Sequence, residues 1–411
     1  MTDTTLIELS RSAPRNNPLG ALARQLVFTR LATLHEGRLR VREGDQVHEF
    51  GNERTGVEAS ITVLDPAFYA EIAFGGSVGA GESYMLGHWQ AEDLTRLMRL
   101  LLRNRHALDA MESGLARLSA PIRMAAHWLH RNTHAGSRRN ISAHYDLGNE
   151  FFRLFLDETL MYSCALFECP EMTLAQASTA KLDAICRKLA LSAQDHVLEI
   201  GTGWGGFALH AAAHYGCRVT TTTISPGQHE LANARVRAAG LGHRITVLLE
   251  DYRDLKGSYD KLVSIEMIEA IGHQYFAEFF RRCAERLIPG GRMLLQSITI
   301  ADRHYVRARD DVDFIKRYIF PGCCIPAVSA LAQAMADSSD LRIVHLEDIG
   351  AHYATTLARW RDNFLANLDQ VHALGYPESF CRMWEFYLSY CEAGFAERAL
   401  GDVQMLIARE G

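Results

Sequence analysis

The feature that most constrains this chain is a glycine cluster set between two kinds of periodicity. His196-Val197-Leu198-Glu199-Ile200 has the composition of a buried strand, and Phe207 to Tyr215 has helical spacing. Between them stands Gly201-Thr202-Gly203-Trp204-Gly205-Gly206. Glycine is required where a backbone turns sharply and approaches a ligand closely. A strand, a glycine turn and a helix in that order predict an α/β domain with a ligand at the turn.

The pattern continues in both directions. Cys217 to Ile224, Ile245 to Leu249, Lys261 to Ile265 and Met293 to Ile298 read as further strands. Gln228 to Ala239 and Gln274 to Leu287 read as helices, and Pro289-Gly290-Gly291 as a turn before the fifth strand. Such alternation predicts a doubly wound sheet covered by helices on both faces, with ligands at the carboxyl ends of its strands. From Val328 onward helices mix with a strand-like Leu341 to Leu346.

A lone GxG element is shared with dinucleotide sites. Two details favour S-adenosylmethionine here: the spacing is GxGxGG rather than GxGxxG, and Glu199 stands two residues before the first glycine. In methyltransferases an acid at that point serves the methionine ammonium. The second strand ends in Thr223-Ile224-Ser225, without the acid expected for an NAD ribose, so Thr223 and Gln228 must supply polar contacts. Asp251 and Tyr252, after the third strand, are placed for the adenine amino group and ring face.

At 411 residues the chain is long enough for two domains. Met1 to Asn17 reads as a polar tail without a secretory apolar stretch. Residues up to 105 read as that tail and a small α+β unit, with strands at Gly37 to Arg42 and Ser60 to Leu64 and a helix at Ala91 to Arg103; residues 106–139 read as a helical connector, and 140–411 as the α/β domain. Hydrophobic residues at 48%, with no apolar run of the roughly 18–20 residues needed to cross a bilayer, point to a water-soluble enzyme. The nine cysteines show no metal spacing, so free thiols in a reducing cytoplasm and no metal site are expected. Net charge is −6, yet Arg96 to Arg139 holds nine arginines against two acids, a +7 segment on a chain otherwise at −13. That segment is either a solvated connector or a surface for an anionic partner, phospholipid headgroups or nucleic acid.

Ala143-His144-Tyr145-Asp146-Leu147-Gly148-Asn149 and Met161-Tyr162-Ser163-Cys164-Ala165 lead into the glycine loop as they do in cyclopropane fatty acid synthases, a family that the chain resembles. The likeness continues through Asp251-Tyr252-Arg253-Asp254-Leu255, Met267-Ile268-Glu269-Ala270-Ile271-Gly272, Tyr318-Ile319-Phe320-Pro321-Gly322 and His352-Tyr353-Ala354-Thr355-Thr356-Leu357. It covers nearly all of residues 140–411 and implies a class I methyltransferase sheet with helical lipid-binding insertions.

The resemblance implies cofactor contacts at Tyr162, Ser163, Gly201, Gly203, Thr223, Ile224, Gln228 and Tyr252, and a bicarbonate at Cys164, Glu269 and Tyr353 with a backbone contact near Ile298. It also points to Cys391 as a cysteine proposed to be catalytic, against a plain reading as a buried helical thiol. Two positions depart from many bacterial members: Ala270 and Gln296 stand where those have histidine. The implied reaction moves a methyl carbon from S-adenosylmethionine to the cis double bond of an unsaturated phospholipid chain. Tyr353, Phe167, Tyr318 and Phe320 are candidates to face the resulting carbocation. Proton loss to bicarbonate then closes a cyclopropane ring. The alternatives are a fatty-acyl C-methyltransferase that leaves a methyl or methylene branch, and a non-catalytic lipid binder. The arginine segment is accordingly expected to rest on anionic lipid rather than nucleic acid, placing a cytoplasmic homodimer on the inner face of the membrane.

Overall fold

Alternation in Gly37-Arg38-Leu39-Arg40-Val41-Arg42 buries Leu39 and Val41 and leaves the arginines to pair outward with Glu58, Glu49 and Glu92. The computed structural model describes residues 18–52, 56–106 and 147–411. Its first unit runs α1 (Pro18–Leu31), β1 (Gly37–Glu43), β2 (Gln46–Asn52), β3 (Glu58–Val63), α2 (Ala67–Met85), β4 (Trp89–Ala91) and α3 (Leu94–Arg103). The four strands form one sheet in the order β2-β1-β3-β4, with β1 and β3 parallel. β2 and β4 were not foreseen: β2 is largely exposed and β4 has three residues, so neither shows a buried alternation. Glycine-rich 75–79 lies inside α2, where Gly76 kinks the helix at φ 59°. The expected connector at 106–139 lies, after His106, outside the described residues.

The second unit begins with α4 (Asn149–Arg153) and α5 (Leu174–Lys188). A capping box between Thr173 and Gln176 starts α5. Then follow β5 (His196–Ile200), α6 (Gly206–Tyr215), β6 (Arg218–Thr223), α7 (Pro226–Ala238), β7 (Ile245–Leu249), β8 (Tyr259–Ile265), α8 (Phe276–Arg286) and β9 (Leu287–Ile300). The chain closes with α9 (Asp302–Asp310), α10 (Val328–Ser338), β10 (Leu341–Asp348), α11 (Gly350–Ala366), α12 (Leu368–Ala373), α13 (Glu378–Ala396) and β11 (Leu400–Arg409). The sheet order is β10-β11-β9-β8-β5-β6-β7, parallel except for β11, which runs antiparallel to both its neighbours. The doubly wound expectation therefore holds, with β5 at the point where strand order reverses.

Two details differ from the sequence reading. The expected turn at 289–291 is a register shift inside β9, which is already paired to β8 at Leu287. β11 was missed because it is buried on both faces, with Asp402 and Gln404 inside as deeply as Val403 and Met405, which erases the polar–apolar alternation.

The two units share one hydrophobic core, in which α13 packs against α2 and α3. Polar contacts edge this seam: Arg99 and Arg103 pair with Glu397, Arg361 bridges Glu392 and Thr95, and the Tyr84 hydroxyl donates to Glu385 at 2.7 Å. Two arginines of the basic segment thus hold the units together. No helix among the described residues is long and apolar enough to cross a membrane.

Candidate active site

The carboxyl ends of β5 and β6 form the first half of the site. Gly201 and Gly203 adopt φ of 101° and 52°, and no atom lies within 4 Å of where a Gly203 side chain would begin. The backbone there faces open space. Glu199, next to last in β5, lies beside the loop at 2% exposure, and its Oε2 has no hydrogen-bond partner among the described residues. Burial pushes its carboxyl up to about 8. On β6, the Thr223 hydroxyl donates to Gln228 at 2.8 Å, while Ser225 caps α7 ahead of Pro226. Ile224, Gln228 and Tyr252 line the same cavity, and the Tyr252 hydroxyl lacks a hydrogen-bond partner among the described residues. Tyr162 and Ser163 line the cavity as well, the Ser163 hydroxyl accepting from the fully buried Lys181 at 2.8 Å.

Asp251 follows β7 with its carboxylate in an ion pair. Both its carboxylate oxygens are held by Arg253, with Nη2 to Oδ2 at 2.6 Å and Nε to Oδ1 at 2.8 Å. This buried ion pair shapes the loop after β7, and Asp251 lines the same cavity as Tyr252.

The second half is a buried polar cluster at the ends of β8 and β9. Glu266 lies at its centre, on a backbone with φ 46° just past β8. Its Oε1 accepts from the Cys164 backbone N–H and the Gln296 amide, each at 2.8 Å, and its Oε2 from the Tyr353 hydroxyl at 2.6 Å. Gln296 is fixed in turn, since its amide also donates to Asp402 at 3.0 Å and its carbonyl accepts from Gln404 at 3.0 Å. Glu269 sits alongside: its Oε1 accepts from Ser297 at 2.9 Å and the Ile298 N–H at 2.5 Å, while Oε2 has no partner among the described residues. Burial, and then Glu266, raise the Glu269 carboxyl to about 8. Burial and Glu266 push Asp402 well above the carboxylate range, and burial pulls Lys181 below the ordinary lysine value.

Burial disfavours the thiolate at both cysteines. Burial pushes the Cys164 thiol far up, and its contribution is its backbone N–H. Cys391 lines the cavity, where burial also holds its thiol protonated. Burial likewise raises the Tyr353 hydroxyl well above its usual value, so it stays a donor.

Both halves open into one cavity of about 610 Å³ that continues into the first unit. Its inner wall carries Val27, Leu39, Ile61, Ile72, Trp89 and Met98, its middle Tyr162, Phe320, Tyr353, Tyr387 and Phe395. Among the aromatic candidates Tyr353 and Phe320 line the cavity. Tyr318 instead reaches Glu82 across the seam at 2.5 Å, and Phe167 packs against the core away from the lining. Sequence reasoning missed Glu266, Lys181 and Asp402. Glu266 stands three residues before Glu269 in Glu266-Met267-Ile268-Glu269, and that repeated acid at a strand end was the available signal.

The mycolic acid cyclopropane synthetase family model matches residues 132–405. A cyclopropane-fatty-acyl-phospholipid synthase of Escherichia coli is 35% identical over 359 residues, covering 85% of this chain and 88% of that protein. The chain belongs to the mycolic acid cyclopropane synthetase family. It is an S-adenosylmethionine-dependent methyltransferase of the cyclopropane-fatty-acyl-phospholipid synthase type. A tuberculostearic acid methyltransferase of Mycobacterium tuberculosis is 40% identical over 343 residues, or 82% of this chain and 80% of that one. A mycolic acid cyclopropane synthase solved with S-adenosylhomocysteine and CTAB superposes with a TM-score of 0.62 at 30% identity, covering 66% of this chain and 98% of that chain. The family's cosubstrate suits the pocket on three counts: the unpartnered Glu199 oxygen for an ammonium, the open face of Gly203, and the Tyr252 ring with its unpartnered hydroxyl.

Proposed function

We propose that this methyltransferase acts on the cis double bond of an unsaturated phospholipid acyl chain and closes a cyclopropane ring. The observation that carries this reading is the single cavity that joins the glycine loop, the buried carboxylates and an apolar chamber running into the first unit. A polar or aqueous methyl acceptor would gain nothing from such a wall, whereas an acyl chain buries about 0.8 kcal/mol per methylene there.

S-adenosylmethionine supplies an electrophilic methyl when bound. The protein's own part is alignment and exclusion of water, because an isolated alkene is a weak nucleophile. Glu199 holds the ammonium end, and Thr223, Gln228 and Tyr252 the nucleoside. Tyr162, Phe320, Tyr353 and Phe395 offer ring faces to the cation left on the chain, worth ~1–2 kcal/mol each when desolvated. A proton must then leave the new methyl for the ring to close.

A second reading, methylation that leaves a branch without a ring, is favoured by the 40% identity to a tuberculostearic acid methyltransferase. Lipid mass spectrometry after expression in a host with unsaturated phospholipids tests both. A gain of 14 mass units that survives mild hydrogenation supports the ring, a hydrogenatable gain supports the branch, and no gain refutes both.

Access to a bilayer substrate is proposed to run through the basic segment from Arg96 to Arg139. Each basic residue near an anionic surface contributes about 1 kcal/mol. Arg99 and Arg103 are committed to the seam, and Arg117, Arg123, Arg131, Arg138 and Arg139 lie outside the described residues. With these five changed to Gln, co-sedimentation with anionic vesicles should fall while the fold is kept; unchanged binding would contradict docking.

A further inference from the structure

The bicarbonate implied by the family resemblance does not fit this chain. The N–H and O–H donors around it are already engaged: the Cys164 N–H, the Gln296 amide and the Tyr353 hydroxyl all donate to Glu266, and the Ile298 N–H donates to Glu269, whose Oε2 alone is left without a partner among the described residues. A further anion would also stand beside the Glu266 carboxylate, which already receives these donors, and partial burial leaves little solvent to screen that repulsion.

We propose that the Glu266 side chain is the resident base of the reaction, standing in the position the family gives to bicarbonate. The inference rests on the acyl-chain reading above. Three donors converge on the two Glu266 oxygens, which is the hydrogen-bond pattern of a carboxylate. Glu266 lines the cavity beside Tyr353 and Ile298, where the reacting carbons would lie. Its φ of 46° is held against the ordinary preference of a non-glycine residue by the β8 and β9 frame, including the bond from its N–H to the Gln296 carbonyl at 2.9 Å. The Gln296 departure then has a function. Its amide can give one N–H to Glu266 and the other to Asp402 while its carbonyl accepts from Gln404, three fixed bonds that orient the base. Lys181, wholly buried, lies close enough to interact electrostatically with Glu266, which favours its charged form against the effect of burial.

The step balances as follows. The alkene's π pair forms a bond to the methyl carbon, the S–CH3 bond breaks with its electrons remaining on sulfur, and the adjacent chain carbon becomes a cation. Glu266 then removes a proton from the new methyl. The freed C–H electron pair forms the second ring bond, and the carboxylate becomes a carboxylic acid that releases its proton to solvent after product departure.

The test is turnover on vesicles of unsaturated phosphatidylglycerol, with S-adenosylhomocysteine and lipid product both measured, in buffer purged of CO2 and again with millimolar bicarbonate. Wild type should change by less than about two-fold between the two. Glu266→Gln should lose roughly 100-fold or more, the range of a removed general base, with cofactor affinity unchanged. Glu266→Gly, which suits the left-handed backbone and vacates the donors, should be equally slow in purged buffer and recover at least about ten-fold with bicarbonate. A wild-type enzyme that stalls when purged and revives with bicarbonate overturns the proposal, whether or not the variants fold. If wild type methylates no lipid under either condition, the acyl-chain reading itself fails, a result distinct from stalling on depletion.

Discussion

The cofactor pocket and the carboxylate cluster share one cavity yet are assembled in opposite ways. The pocket is nearly local: Glu199, Gly201 and Gly203 fall within five residues, and one strand–turn–helix unit positions them. The cluster draws Cys164, Lys181, Glu266, Gln296, Tyr353 and Asp402 from separate segments across more than half the chain. A local site is set by backbone geometry and fails when the backbone is obstructed. A dispersed site is set by mutual hydrogen bonds and fails when one partner changes its protons. Variants at the two sites should therefore separate binding from turnover.

The largest effect is expected at the loop. Gly203→Val places a β-branched side chain at φ 52° and into the space reserved for ligand. Calorimetry should show S-adenosylmethionine affinity reduced at least about 100-fold, or about 3 kcal/mol. Affinity near wild type would mean the ligand lies elsewhere.

Glu269→Gln should act in the opposite sense. An amide oxygen can still accept from Ser297 and the Ile298 N–H, so the fold and cofactor affinity should hold within about two-fold. Turnover should fall about ten-fold, less than for Glu266→Gln, because Glu269 supports the cluster's charge without receiving its three converging donors. Equal losses at the two glutamates would erase the distinction between base and neighbour.

A smaller effect is a pH dependence of cofactor binding. The Glu199 carboxyl, held at about 8 by burial, is mostly protonated at neutral pH. The ligand's ammonium favours the carboxylate, so binding expels a proton and tightens as pH rises. Affinity should climb up to about ten-fold per pH unit below 8 and level off above it. Calorimetry in buffers of different ionisation enthalpy measures that proton directly, and Glu199→Gln should abolish the slope.

The smallest effect is at the seam. Glu397→Gln removes the partner of Arg99 and Arg103, both about a third exposed, so solvent screening limits the loss to about 1 kcal/mol or less. A slightly lower melting temperature with unchanged cofactor affinity would keep the seam separate from the pocket.

The same contrast explains what the sequence made legible. Strand β5, its loop and helix α6 follow from residues close in sequence, and Glu199, Gly203, Thr223 and Gln228 were readable with them. Cys164, Glu269, Gln296 and Tyr353 came from family resemblance alone, with no indication that Glu266 would take three of their contacts. The partner of Asp251, Arg253, lies two residues on and holds both its oxygens, a pairing the sequence reading did not foresee. Lys181 sits on a helix whose pattern gives no sign that a lysine should be wholly buried, and Asp402 on a strand whose polar residues face inward. Such residues gain their meaning only from the partners that tertiary folding supplies.

The central claim, methyl transfer to an acyl-chain double bond, is tested most directly by lipid mass spectrometry of a host expressing the wild-type chain beside one expressing Gly203→Val. The account predicts a gain of 14 mass units on monounsaturated phospholipid chains, resistant to mild hydrogenation, in the wild-type host alone. Unaltered phospholipids in the wild-type host, with the protein folded and binding S-adenosylmethionine, would contradict it.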